Sequence, residues 1–268
     1  IKGNITPGFV VRAKGDIIVN GNIEDAVVES AGNVIVQGGI IGGEKSSIKA
    51  HGHVKASFLR NAPIESYGDV IIDQSIMNSQ VKSDGRIICI TGKGVVLGGK
   101  LSATKGIFAN IAGASSGTAT EMVVGRSLEA DNRLKEIFES LKTNKENLKK
   151  IKMALGDEYF KDPKAFLSRL PAGKIPMVKD LLTQVADIVK KNTDLEAEKN
   201  TLLDQAHTQS RSTVTIYQTI FEGVIIFINH LKRAVSKEIS GSEFFYMDEY
   251  DAIGERAPHK LDPKEFTF

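Results

Sequence analysis

The chain has 268 residues, of which 25% are charged and 41% apolar, and its net charge is +2. This balance provides no bulk electrostatic attraction to nucleic acid or to a membrane surface, and the length allows one large domain or two smaller ones. The single cysteine, Cys89, excludes an internal disulfide framework and fits a reducing compartment. No apolar run reaches the ~18 residues of a membrane span, and no signal-peptide pattern opens the chain.

The N-terminal part of the chain repeats one strand pattern around a glycine. Each copy has a branched apolar residue, any residue, Ala or Ser, any residue, Gly, a polar residue, and then Val or Ile at alternate positions. The copies are VRAKGDIIV (11–19), VESAGNVIV (28–36), IKAHGHVKA (48–56), IESYGDVII (64–72), VKSDGRIIC (81–89) and, more loosely, LSATKGIFA (101–109). Their glycines follow one another at steps of 17, 20, 16, 17 and 21 residues.

This repeat predicts a parallel β-solenoid. Residues two apart share one face of a strand, the glycine allows a backbone turn that a Cβ resists, and the Ala or Ser fits a tight inner corner. A single repeat cannot bury its apolar edge, whereas stacked repeats form a continuous core. An antiparallel sandwich is the alternative, but it gives no reason for the shared glycine register.

The register makes specific predictions. Val19, Val36, Ile72 and Cys89 should stack on one buried face, where Cys89 is inert rather than nucleophilic. Shorter strands are expected in NIEDAVV (22–28) and SIMNSQV (75–81). The extra residues of the longer steps should form loops at 37–47 and 91–100.

At Ser127 the pattern changes to heptads. Residues 128–155 contain no Gly or Pro and have apolar residues every three or four positions, as does a second run from Val178 to Leu202. The segment between them, 156–176, contains three prolines, which end a helix. In an antiparallel hairpin, facing positions have a constant sum of residue numbers. The pairs that share one sum are Leu134 with Leu202, Leu141 with Leu195, Asn144 with Asn192, Leu148 with Ile188, Ile151 with Val185, and Leu155 with Leu181.

These pairs predict an inserted antiparallel α-helical coiled-coil hairpin over residues 128–207, in which Asn144 and Asn192 fix the register at some cost in stability. Ile137 opposite Lys199 is the mismatched layer. Two helices packed separately on the solenoid are the alternative.

Alternating residues return after the hairpin. They occur in STVTIYQTIFEGVIIFINH (212–230) and in the aromatic stretch SEFFYMDEY (242–250). The predicted domains are therefore a solenoid at 1–127, the hairpin at 128–207, and return strands at 208–268 that complete or cap the solenoid. The last stretch, 254–268, is expected to lie along the surface or to be disordered.

Few residues suggest chemistry. His51 and His53 flank a corner glycine, but without a nearby Cys or carboxylate cluster they are better interpreted as exposed corner residues than as a metal pair. The glycine-rich stretches 38–43 and 91–99 lack the spacing of a phosphate loop and are better explained as repeat turns. Lys145, Lys149 and Lys150 give the hairpin a basic face, which indicates either a solvated flank or an acidic partner. The sequence predicts no catalytic, cofactor-binding or metal-binding residue.

The order of these features resembles the flagellar assembly protein A family. The resemblance is carried by GDIIVNGNIEDAVVESAGNVIVQGGIIG (15–42), IKAHGHVKASFLRNAPIESYGDVII (48–72), GVVLGGKLSATKGI (94–107), IAGASSGTATEMVVG (111–125) and VTIYQTIFEGVIIFI (214–228). The helical insertion falls in the same place. Because the chain starts at Ile1, already in patterned sequence, we expect it to be a piece of a longer protein that lacks the family's N-terminal region.

The resemblance implies a mainly β fold, a right-handed parallel β-helix with a coiled-coil excursion, in a cytoplasmic bacterial protein. It also implies a role in flagellar assembly or in polar placement of the flagellum, with polar placement factors as partners. A further implied partner is the glucose-specific enzyme IIA of the sugar phosphotransferase system, which we expect to bind unphosphorylated. No cofactor or catalytic residue is implied.

Two function classes remain at this point. One is a non-enzymatic scaffold that binds proteins and has neither a nucleic-acid partner nor a membrane span, with homo-oligomerisation left open. The other is a solenoid enzyme of the hexapeptide acyltransferase kind, with His51 or His53 as base. Hexapeptide solenoids need steps in multiples of six, and steps of 16, 17, 20 and 21 residues disfavour that alternative.

Overall fold

The computed structural model describes residues 1–125, 127–156, 166, 171–208 and 212–261. The chain divides into two units, Ile1–Leu128 with Ala206–Phe268, and Glu129–Gln205. The first unit contains the strands and the second contains the long helices.

Strands of the first unit stack in parallel on three faces. The first face contains β1 (Val10–Ala13), β4 (Val27–Ser30), β7 (Ser47–Ala50), β9 (Pro63–Ser66), the ends of β10 (Val70–Ser83) and β12 (Val95–Ala103), β14 (Thr120–Val124) and β16 (Val224–Ile228). The second contains β2 (Ile17–Val19), β5 (Val34–Val36), the starts of β8 (Val54–Arg60) and β10, β11 (Arg86–Cys89), and the starts of β13 (Gly106–Ala112) and β15 (Thr213–Ile220).

The third face is made of shorter segments. It contains β3 (Ile23–Glu24), β6 (Ile40–Ile41), the end of β8, the middle of β10, the start of β12, and the ends of β13 and β15. Parallel pairing between successive coils confirms the predicted solenoid, and the antiparallel sandwich is wrong.

The predicted inward stack is confirmed. Val19, Val36, Ile72 and Cys89 are each at most 2% exposed. In the same stack, Ala56 pairs with Ile72 and Ala109 pairs with Cys89. Because a shift by one residue would turn every side chain to the opposite face, this burial fixes the register of the whole second face.

The inner corner between the first and second faces explains the repeated Ser or Ala. The Oγ of Ser30 donates to the carbonyl of Gly15 in the preceding coil at 2.8 Å and accepts the N–H of Gly32 at 3.0 Å. Ser66 and Ser83 donate to the preceding coil in the same way. These serines therefore do more than fit a tight corner. Their hydroxyls form hydrogen bonds with backbone groups that lose their strand partners in the turn.

Another corner, between the third and first faces, depends on residues that tolerate left-handed backbone. Asp25, Asn61 and Asn78 have φ values of 37°, 52° and 47°. Asx residues accept this conformation more readily than other non-glycine residues. Each is followed by Ala or Ser, so this corner has its own short repeat, which the glycine alignment did not detect.

The two predicted loops are shorter than expected. Ile40 in β6 is 1% exposed and Val96 in β12 is 0% exposed, so both belong to the core. The extra residues are confined to 42–46 and 90–94, where no strand is formed. The predicted extents 37–47 and 91–100 are wrong because their apolar residues form third-face strands.

Two helices form the second unit. α1 (Leu128–Leu155) and α2 (Ile175–Thr208), which a 3-10 turn (Ala172–Lys174) precedes, pack together. The Nδ2 of Asn144 donates to the Oδ1 of Asn192 at 2.7 Å. Ile151, Leu155 and Val178 form a buried cluster with partly buried Leu181, Val185 and Ile188.

These contacts confirm the antiparallel pairing and its register, and two separately packed helices are wrong. The supercoil of a true coiled coil stays a prediction. Most of the predicted tip at 156–176, namely 157–165 and 167–170, lies outside the described residues.

The return strands both complete and cap the solenoid. β15 and β16 extend the parallel faces from β13 and β14. β17 (Leu231–Ala234) then pairs antiparallel with β16, β18 (Ile239–Met247) with β15, and β19 (Ala252–Arg256) with β18. These antiparallel strands cover the edges that the last parallel strands would otherwise expose.

The described part of the C-terminal stretch lies along the surface, as expected. Leu261 packs on a small apolar cluster formed by Ile71, Ile88 and Phe108 on the outer side of the second face. Residues 262–268 lie outside the described residues.

The hairpin leaves and rejoins the solenoid at one corner. Val124 pairs with Ala103, and Thr213 pairs with Gly106. In the coil beneath, only Thr104 and Lys105 separate those partners. A direct bond from Gly125 to Ser212 would leave the same number of residues between the two strands.

We therefore predict that a deletion joining Gly125 to Ser212 folds into a β-rich protein. Circular dichroism should show loss of helix, and denaturant unfolding should stay cooperative. The matched control joins Gly125 to Thr213. This connection is one residue shorter, so it should strain the corner or shift the register of β15 against β13. If the first deletion unfolds without cooperativity, or if both deletions are equally stable, the insertion does not occupy a simple corner.

Candidate functional site

His53 belongs to a ladder of side chains at the outer corner after each repeat glycine. The Oδ1 of Asp16 accepts the N–H of Asn33 at 2.7 Å, and the Oδ1 of Asn33 accepts the N–H of His53 at 2.8 Å. The Nδ1 of His53 then accepts the N–H of Asp69 at 2.8 Å, and the Oδ1 of Asp69 accepts the N–H of Arg86 at 2.7 Å. Each coil thus caps the backbone of the next coil with one polar atom.

This role gives His53 a defined state. An Nδ1 that accepts an N–H carries no proton, so the ring proton of His53 lies on Nε2. His53 is half-buried, which makes the interpretation as an exposed corner residue wrong for it. His51 is exposed and stacks on Tyr67, with ring centroids 5.2 Å apart and planes at 15°.

The two histidines therefore have separate contacts, His53 with the backbone of Asp69 and His51 with the ring of Tyr67. No group of three or more His, Cys, Asp or Glu side chains that could hold a metal ion occurs within the described part of the chain. The Nδ1 of His51 lies 3.3 Å from the carbonyl oxygen of Ser30. Their positions lend no support to an acyltransferase base.

Cys89 is fully buried, as the sequence predicts. Burial, with a smaller contribution from the charge of Asp73, raises the pKa of the Cys89 thiol to about 12. Because the thiolate is the nucleophilic form, a thiol with this pKa is unreactive near neutral pH.

The glycine-rich stretches are explained by local packing. A Cβ on Gly39 would lie 2.2 Å from the ring of Phe58. Gly94 has a φ of 58°, and the amide of Asn110 holds the same turn by donating to the carbonyl of Ile90 at 2.9 Å. Both features are those of repeat turns, as expected.

A column of alternating charge runs along the outer side of the first face. It occupies the second position of the repeat, which the sequence comparison treated as free. In register order its members are Arg12, Glu29, Lys49, Glu65 and Lys82. Arg12 lies 2.6 Å from Glu29, and Lys49 lies 3.4 Å from Glu65. Exposed pairs of this kind contribute little to stability, so the column favours the register more than it stabilises the fold.

The C-terminal cap contains the most unusual electrostatic site among the described residues. A cleft of about 520 Å³ lies beside it, and its lining includes Arg86, Lys105, Ser212, Glu243 and His259. β18 places Glu243 between Thr215 of β15 and Arg256 of β19.

Glu243 is a buried, paired carboxylate. Its side chain is fully buried, Arg256 Nε donates to its Oε1 at 2.9 Å, and His259 Nδ1 contacts its Oε2. Burial raises the pKa of Glu243, but the hydrogen bonds from His259 and Arg256 outweigh burial and hold the pKa below its usual range. The carboxylate is therefore ionised and anchors the C-terminal stretch to the sheet through His259.

Ser212, which lines the cleft, is bonded to the backbone of a neighbouring coil. A carboxylate that orients a histidine is part of the nucleophile-base-orienter arrangement, but the nearby hydroxyl of Ser212 donates to the carbonyl of Thr104 at 2.7 Å. Sequence reasoning missed Glu243, Arg256 and His259. They belong to no repeat, and only the antiparallel cap brings them together.

Nearly the whole chain matches the model of a known protein family. Residues 1–252 match a family model described as the flagellar assembly protein A beta solenoid domain. No curated protein and no solved structure shows significant similarity to the chain. Among the described residues, no helix has the length and hydropathy needed to cross a membrane.

We predict that His53→Ala lowers the free energy of unfolding by about 1–3 kcal/mol, because it leaves the N–H of Asp69 without its acceptor. His53→Asn should lose less than about 0.5 kcal/mol, since Asn33 fills the same ladder position with an amide oxygen. Urea unfolding of the two variants beside the original chain measures the difference. Equal losses for Ala and Asn would contradict the ladder role.

We also predict that Cys89 reacts slowly with a thiol reagent in the native protein and quickly in denaturant. Burial and the raised pKa both protect it. The measurement is the release of the reagent's chromophore at neutral pH with and without urea. Fast reaction without urea would place Cys89 on the outer face of its strand.

Proposed function

The chain belongs to the flagellar assembly protein A β-solenoid family, and from that premise we propose that it is a non-enzymatic scaffold that binds proteins during flagellar assembly. The observation that carries the proposal is the extent of the match, which includes the repeats, the helical insertion and the return strands. The scaffold acts in the bacterial cytoplasm and contributes to placing the flagellum at the cell pole.

The use of the polar side chains supports a binding role over catalysis. His53, Asp69 and Ser66 bond to backbone groups of neighbouring coils. Cys89 is buried with a high pKa, and Ser212 donates to a backbone carbonyl. A solenoid whose reactive groups hold its coils together offers extended outer surfaces, which repeat proteins use for binding partners.

The proposed regulatory partner is the glucose-specific enzyme IIA of the phosphotransferase system, bound in its unphosphorylated form. Phosphorylation of its histidine adds close to two negative charges at the contact face. Burying these charges at a nearly neutral interface would be costly. The family resemblance supports the choice of partner, and electrostatics supports the preferred form.

The two short loops are the proposed contact surface. Residues 42–46 and 90–94 lie between strands and belong to none of them. Glu44 and Lys45 in the first loop are exposed, as is Lys93 in the second. The first loop is neutral overall and the second carries one positive charge. One positive charge does not offset the two negative charges that phosphorylation adds, so these loops favour the unphosphorylated partner.

The test is a calorimetric titration of the chain with enzyme IIA in both forms. We expect at least tenfold tighter binding of the unphosphorylated form. Two variants locate the surface, a deletion of Glu44–Ser46 and Lys93→Glu, and each should weaken binding only if its loop is in contact. Lys14→Glu is the matched control, because it makes the same charge change at an exposed corner without extra residues.

Equal affinity for both forms would remove the regulatory proposal and leave the scaffold. The same result follows if a chain that also carries the family's N-terminal region does not bind. Weakening by Lys14→Glu as large as that by Lys93→Glu would show that the contact depends on net charge rather than on the loops.

A further inference from the structure

The residue that follows each first-face strand belongs to a column on the outside of the corner. Backbone hydrogen bonds set successive members one coil apart, since the N–H of His51 donates to the carbonyl of Ser30 at 3.0 Å and the N–H of Tyr67 donates to that of Ala50 at 3.0 Å. We refer to this set as the corner column. In coil order its members are Lys14, Ala31, His51, Tyr67, Asp84 and Thr104.

The corner column is interrupted at Ala31. His51 stacks on Tyr67 with ring centroids 5.2 Å apart, close to the ~4.8 Å between neighbouring strands, so one ring occupies each coil. Further along, the hydroxyl of Thr104 donates to Oδ1 of Asp84 at 3.3 Å. Ala31 has only a methyl group, which leaves the ring place in its coil empty between Lys14 and His51.

A cavity of about 490 Å³ lies at this gap, and Lys14, Ala31 and His51 all line it. Its size is within the roughly 300–1,000 Å³ of ligand pockets. The ring of His51 is already held in place on one side by Tyr67. Its Nδ1 also donates to the carbonyl oxygen of Ser30 at 3.3 Å, since a carbonyl can only accept. The stacking wall of the cavity is therefore formed before anything binds.

The walls of the cavity are positively charged. The lining contains the cations Arg12, Lys14 and Lys49 but only one carboxylate, Glu29. Arg12 pairs with Glu29 at 2.6 Å, and Lys49 pairs with Glu65 at 3.4 Å from the next coil. Among the residues that the structure describes, no ion pair includes Lys14. The cavity therefore disfavours an arginine or lysine on the ring of His51 and favours a carboxylate beside Lys14.

We propose that the gap at Ala31 binds an aromatic side chain of a partner protein, next to which the partner carries an Asp or Glu. The ring would take the empty place in the corner column and stack on His51 one coil spacing away, within the ~4.5–7 Å of offset aromatic pairs. The neighbouring carboxylate would pair with Lys14. This binding rests on the protein-binding function proposed above and adds a second surface to the loops.

The exposure of the cavity favours a side chain of a protein over a free aromatic acid. Lys14, Ala31, Lys49 and His51 are all exposed, whereas a pocket for a small molecule encloses most of its ligand. An open cavity can cover a single ring from below and from one side. The surface of a partner protein would cover the rest, and aromatic side chains are the usual anchors of such interfaces.

The test titrates the full chain into a capped peptide, Asp-Glu-Trp-Glu-Asp, and follows its fluorescence. The chain contains no Trp, so the indole of the peptide is the only one in the sample, and its emission shifts to shorter wavelength when it leaves water. Ala31→Phe fills the gap with a ring of the chain itself, and Ala31→Ser is its matched control. Lys14→Glu reverses the charge of the cation without an ion pair. Its matched control is Lys55→Glu, at an exposed residue outside the lining.

We expect a saturable shift with the original chain, and at least tenfold weaker binding by Ala31→Phe and by Lys14→Glu. The two controls should change the affinity less than twofold. Peptides with Leu in place of Trp, or with Lys in place of the acidic residues, should compete at least tenfold more weakly. Circular dichroism and urea unfolding verify the fold of each variant, and the Lys14→Glu and Lys55→Glu pair decides if Ala31→Phe does not fold.

The absence of a saturable shift would overturn the proposal, as would equal effects of Lys14→Glu and Lys55→Glu. A folded Ala31→Phe that binds like the original chain would do so as well. Indole-3-acetate provides the free aromatic acid, and if it bound as tightly as the peptide, the site would belong to a small molecule rather than to a protein.

Enzyme IIA separates this site from the regulatory partner proposed above. Ala31→Phe should leave the affinity for enzyme IIA unchanged, because residues 42–46 and 90–94 do not line the cavity. Peptide binding in the absence of enzyme IIA binding would support this site and remove only the loops. Enzyme IIA binding in the absence of peptide binding would remove only this site.

Discussion

The corners of the coils impose the constraint on which the rest of the solenoid depends. At each corner the chain leaves one strand ladder before it joins the next, so its backbone N–H and C=O groups lose their strand partners close to a buried core. Such groups are costly when they lack partners. This chain supplies them with periodic side chains. Inner serines such as Ser30 bridge to the coil beneath, and outer residues such as Asn33 and His53 accept N–H groups from the coil above.

The same constraint explains where a large insertion is tolerated. The hairpin starts and ends at a corner, where strand pairing is already interrupted, and both of its ends remain bonded to the coil beneath. The N–H of Gly125 donates to Ala103, and Ser212 donates to Thr104. An insertion within a strand would instead have broken the pairing of two neighbouring coils. At the C-terminal end of the solenoid, no further parallel coil follows β15 and β16, so their edges would be left unpaired. Antiparallel strands cover these edges by pairing with β15 and β16.

These structural roles limit what the polar residues can do for function. The ladder residues and the corner serines form hydrogen bonds with backbone groups. The buried Glu243 is hydrogen-bonded to Arg256 and His259. A buried ionic cluster is weak evidence for stability, but here it ties the C-terminal stretch to the cap. What remains for partners is the outer surface. In the first unit it comprises the short loops and the charge column, and in the second unit the two flanks of the helical pair.

The sequence by itself determined the periodic parts of this protein. In a solenoid and in a helical hairpin, contacts join equivalent positions at a constant offset, so a pattern along the chain is also a pattern in space. That is why the burial of Cys89 and the pairing of Asn144 with Asn192 could be predicted. The tertiary structure decided the rest. The role of His53 depends on which nitrogen faces the next coil, and the extents of the loops depend on which apolar residues reach the core. The Glu243 anchor depends on strands that reverse direction after the last parallel coil, and contacts between such non-repeating segments have no constant offset that the sequence could display.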